Sequence, residues 1–84
     1  MFSDRPTTRA VLTQMTMAQR QAVLVVHAGE TAGDRRDQLQ AMPLGTRGVF
    51  QCTWNIFTGE LRQGKPVVRP VHFTVDAQGN VRRR

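Results

Sequence analysis

Between residues 49 and 57 the chain alternates side chains of opposite character: Phe50, Cys52, Trp54 and Ile56 fall on one side, Gln51, Thr53 and Asn55 on the other. A period of two is the repeat of a β-strand with one face buried, and it commits the chain to a sheet whose apolar face must be covered. Phe50, Cys52, Trp54 and Ile56 are therefore expected in the core. A second strand is expected over residues 67–75, where Val67, Arg69, Val71, Phe73 and Val75 share one face and Val68, Pro70, His72 and Thr74 the other. Pro70 has no N–H to give to a ladder, so this strand must lie at an edge there, or break or bulge.

Turn residues punctuate the same region. Thr58-Gly59 marks a turn, residues 60–63 are expected to return as a short strand, and Gly64-Lys65-Pro66 forms a looser turn. Asp76-Ala77-Gln78-Gly79-Asn80 reads as a hairpin-type loop, after which Val81 opens a final short strand leading into Arg82, Arg83 and Arg84.

Upstream, Thr16 is placed as an N-cap with Gln19 at capping-box spacing, and Met17, Ala18, Ala22, Val25 and Val26 follow near the helical period. Gly29 would end this helix. The β-branched Val23, Val25 and Val26 also suit a buried strand over residues 22–27. The polar lead-in Gln19-Arg20-Gln21, the cap and the glycine favour the helix. Thr31 and Asp34 repeat the cap spacing, so residues 35–42 are expected as a short polar helix before Pro43, with Leu39 and Met42 as its apolar face and Arg35, Arg36 and Asp37 as a charged rim. Residues 1–11 are polar and basic and read as a flexible arm carrying Arg5 and Arg9.

These elements define an α+β fold: an N-terminal helix or helical pair packed on a three- to four-stranded antiparallel β-meander. Eighty-four residues suffice for one small domain, expected over residues 12–81, followed by a basic tail at 82–84. A chain of this length buries only about 60–65% of its unfolded surface, so dimerisation or docking to a larger body is in keeping with its size. The longest apolar run, residues 22–26, is far shorter than the ~20 residues of a membrane span. The first residues lack the apolar core of a secretory signal, and the lone Cys52 has no internal disulfide partner. The expectation is a cytoplasmic protein without a membrane partner.

The residues that could carry catalysis are scattered. His27, Cys52 and His72 stand 25 and 20 residues apart, without the close pairs that deliver zinc ligands. A Cys–His nucleophilic pair is disfavoured because the strand pattern puts Cys52 with the core and His72 on the opposite face. Glu30, Asp34 and Asp37 are interleaved with Arg35 and Arg36, and no glycine-rich phosphate loop occurs. Neither an enzymatic activity nor a cofactor or metal is expected.

Charge gives the positive signal. From Pro43 onward seven Lys/Arg face two acids, whereas the first 42 residues carry five against four. Arg47, Arg62, Lys65, Arg69, Arg82, Arg83 and Arg84 are the candidate nucleic-acid-binding residues, each able to neutralise a phosphate. Aromatic support is thin, since only Phe57 falls out of phase with the apolar set and could stack on a base. The functional expectation is a small basic accessory protein that binds nucleic acid, DNA or RNA, or a nucleoprotein machine through phosphate contacts. The alternative is a protein-interaction module or regulator of a larger complex, possessing an exposed edge at Val67, Val68 and Val71 for an acidic protein partner or a homodimer.

Overall fold

The computed structural model describes residues 6–30 and 36–84, with α1 (Pro6–Thr13), α2 (Met17–Glu30), β1 (Gln38–Leu44), β2 (Val49–Arg62), β3 (Lys65–Val75) and β4 (Val81–Arg83). The strands form one four-stranded antiparallel meander in the order β1-β2-β3-β4, and the helices cover one of its faces. The core joins Leu12, Met15, Val23 and Val26 from the helical layer to Leu39, Cys52, Trp54, Ile56, Val71, Phe73 and Val75 of the sheet. The α+β architecture is as the alternation predicts, and so is the inward face of β2, where Cys52, Trp54 and Ile56 are buried and Phe50 packs against them half-buried.

The start of α2 is fixed by a reciprocal cap. The Gln19 backbone N–H donates to Thr16 Oγ1 at 3.1 Å while Gln19 Oε1 accepts from the Thr16 N–H at 3.0 Å. The same buried Gln19 amide donates to the carbonyls of Gly48 and Asp76, at 2.7 and 3.0 Å, and so ties the β1–β2 and β3–β4 turns to the helix. Gly79 lets the second turn come this close, because a Cβ there would stand 2.7 Å from the Ala18 carbonyl oxygen and its φ is +87°.

Four local expectations are corrected. The arm expected over residues 1–11 is helical from Pro6, while Arg5 lies outside the described residues. The helix expected over residues 35–42 is instead β1, beginning at Gln38; Thr31, Asp34 and Arg35 lie outside the described residues. Leu39 and Ala41 face inward and Gln38, Gln40 and Met42 outward, and pairing with β2 outweighs the local helical signal. Thr58-Gly59 does not turn the chain: β2 runs on to Arg62 through a bulge between Phe57 and Leu61, and the tight turn is Gln63-Gly64, both at positive φ (54° and 76°). Arg82 and Arg83, expected in a tail, belong to β4.

Strand registers also decide what each sheet edge offers. His72 accepts from the Arg84 N–H, so alternate residues of β3 direct their backbone groups away from β2, which places Pro66, Val68 and Pro70 on the open side. Two of those three lack a donor, and this is how β3 accommodates Pro70 at an edge beyond the end of β4. On the far border, Leu39 donates to Thr8 Oγ1 at 3.2 Å, and the same alternation sets Ala41 and Pro43 outward. Prolines thus blunt the outer side of β1 and the free stretch of β3.

Candidate nucleic-acid interface

The uncovered face of the sheet is built by the residues that alternate with the core set. Register aligns Gln38, Gln40 and Met42 of β1 with Asn55, Thr53 and Gln51 of β2, then with Pro70, His72 and Thr74 of β3, and Thr74 with Arg82 of β4. The centre of this face is a field of amides and hydroxyls. Thr53 Oγ1 and His72 Nδ1 lie 3.0 Å apart across β2 and β3, linking the two strands on this face.

The seven candidate cations divide into three places. Arg47, in the β1–β2 turn, and Arg82 line one groove with Thr74, Asp76 and Asn80 at a corner of the uncovered face. Strand alternation carries Arg84 to the same side as Arg82. Arg62 and Lys65 are register partners at the far tip of the β2–β3 hairpin. Arg69 and Arg83 lie on the helix-covered side, where both reach Glu30 at the end of α2, at 3.0 and 2.7 Å.

Glu30 is held below the usual carboxylate range by Arg83 and then Arg69. Asp76, the one acid at the corner among the described residues, is likewise held low, chiefly by the Asn80 backbone N–H and then its side chain. Its Oδ1 accepts from the N–H groups of Gln78 and Asn80, forming the turn that delivers β4. Among the described residues the corner therefore carries Arg47, Arg82 and Arg84 against a single side-chain carboxylate, already engaged in the turn. Phe57 is half-buried with the Arg36 guanidinium 5.4 Å from its ring centroid, so its ring is no open stacking platform.

The feature least visible in the sequence is internal. His27 Nε2 and Asp37 Oδ2 are 2.7 Å apart with 1% and 0% of their side chains exposed. Asp37 Oδ1 accepts the Phe57 N–H at 2.9 Å, replacing a ladder partner where β1 has not yet begun. The His27 and Trp54 rings stand 4.6 Å apart, and Trp54 Nε1 donates to the Val23 carbonyl at 2.8 Å. This set locks α2, the entry to β1 and β2 together, and its closure from solvent makes it a structural tie. Asp37, expected on a charged rim, is a core residue. The signal for His27 is its place on the α2 face shared with Val23 and Val26, whereas nothing near Asp37 announces its burial. Cys52 is buried, and desolvation pushes its thiol up to about 12. Among the described residues no group of three potential metal ligands occurs, and no helix is long and apolar enough to cross a membrane.

No protein-family model matches the chain, and neither the curated proteins nor the solved structures contain a significant match to it.

Proposed function

We propose that the protein binds nucleic acid, alone or within a nucleoprotein assembly, through the uncovered sheet face and the corner formed by Arg47, Arg82 and Arg84. The observation that carries this reading is the convergence of Arg47 and Arg82 on one groove beside the polar face. Guanidinium groups there engage phosphates, and the amides of Gln40, Gln51 and Asn55 offer donors and acceptors along a strand laid across the sheet. With no open aromatic platform among the described residues, the contact is chiefly electrostatic, giving weak sequence preference and steep salt dependence. Arg69 and Arg83 drop out of the interface because Glu30 holds them on the other side.

Fluorescence anisotropy with single-stranded and duplex DNA and RNA, titrated at several salt concentrations, tests this. Replacing Arg47 and Arg82 with alanine should weaken all sequences alike and reduce the slope of log affinity against log salt by up to about two. Arg69→Ala should leave both unchanged. Absence of binding by the folded protein at low salt, or equal sensitivity to Arg69→Ala and Arg82→Ala, defeats the reading.

A further inference from the structure

The border that the prolines leave open is β4. Val75 and Val81 face each other in the register without exchanging backbone bonds, since Val75 is bonded toward β2, and the alternation turns the N–H and C=O of Val81 and Arg83 away from β3. Among the described residues none bonds to these groups. Beside them, on the helix side of the sheet, a groove of about 770 Å³ runs between α2 and β4, lined by Ala18, Ala22, Val25, Val81 and Arg83. Val25 is 70% exposed on its wall, although it belongs to the most apolar stretch of the chain.

We propose that β4 is an acceptor edge for one extended segment of another protein, a strand alternating apolar with acidic side chains. An added strand would bond to the outward groups of Val81 and Arg83. Its residues on the groove side meet Val25, Ala22 and Val81 and must be apolar; those on the opposite side lie beside Arg82 and Arg84 and are matched by carboxylates. The same charges dismiss a second copy as occupant, because pairing two β4 strands edge to edge would bring two arginine runs together. The apolar groove lies on the opposite side of the sheet from the polar face, and the two sites meet at Arg82 and Arg84, which border both.

Nuclear magnetic resonance titration of the full chain with a short capped peptide of alternating glutamate and valine tests the proposal. Controls are its lysine–valine counterpart and a peptide of the same composition with its valines grouped at one end. The expected result is saturable binding with shifts at Ala22, Val25, Val81 and Arg83, at least about tenfold weaker for both controls. Val25→Gln, at an exposed position, should weaken the peptide about tenfold while leaving nucleic-acid affinity unchanged. Arg83→Pro, which deletes an outward donor, should weaken it more than Arg83→Ala, which removes only the side chain. No saturable binding, equal binding of the grouped peptide, shifts confined to Gln51, Thr53 and His72, or a self-paired β4 seen as a concentration-dependent dimer would each overturn it.

Discussion

At Asp37 two neighbours depend on one carboxylate, His27 through Oδ2 and the Phe57 N–H through Oδ1. Asp37→Ala removes both bonds, one of them to the fully buried His27, and is expected to cost about 3–5 kcal/mol, a large share of a small domain's stability. Asp37→Asn, which preserves shape and some bonding, should cost less. Urea unfolding followed by the fluorescence of Trp54, the single tryptophan, measures both. Cys52 gives a prediction with a definite sign. The unfolded thiol loses its proton in the ordinary range and the folded one only near 12, so Cys52 lends stability at low and neutral pH that is lost as the pH climbs toward that value. Cys52→Ala should flatten this alkaline decline, and the native thiol should resist alkylation at neutral pH until the protein is unfolded.

Among the elements, the turn carrying Gly79 is the least tolerant of change. Alanine there would need both a positive φ and space already held by the Ala18 carbonyl, and Gly79→Ala is expected to cost about 2 kcal/mol by thermal denaturation. Gly45, also at positive φ but with open space where an added methyl would stand, should cost less. How far such elements can be read from the sequence follows the reach of their causes. The α2 cap and the β2 core set are local patterns, Thr16 with Gln19 and Phe50 to Ile56, and both are legible. β1 is not, because Gln38 to Met42 forms a strand only when β2 stands beside it. The bulge after Phe57 is hidden likewise, since a glycine between polar residues marks a turn and a bulge equally well. The candidate cations are all visible in the sequence, yet their division into corner, tip and Glu30 clamp depends on register across the whole sheet.

For the molecule as a whole, the long axis of 42 Å separates the corner cations from those at the hairpin tip. From Gln51, beside the corner, β2 continues to Arg62 at the tip, a path of about 35 Å at strand rise. A duplex of about six base pairs cannot reach both ends, whereas one of about twelve can, at ~3.4 Å per base pair. Replacing Arg62 and Lys65 with alanine should therefore leave affinity for the shorter duplex nearly unchanged and weaken the longer one, as measured by anisotropy at fixed salt. The outward prolines of β1 and β3 have a different consequence at this scale. A sheet with two receptive borders can recruit neighbours from both sides and grow without limit into a fibre. Here Thr8 takes the Leu39 donor and Pro43 lacks one on the outer side of β1, while Pro66 and Pro70 interrupt the free stretch of β3, so under the strand-addition proposal β4 takes one partner and the assembly ends there.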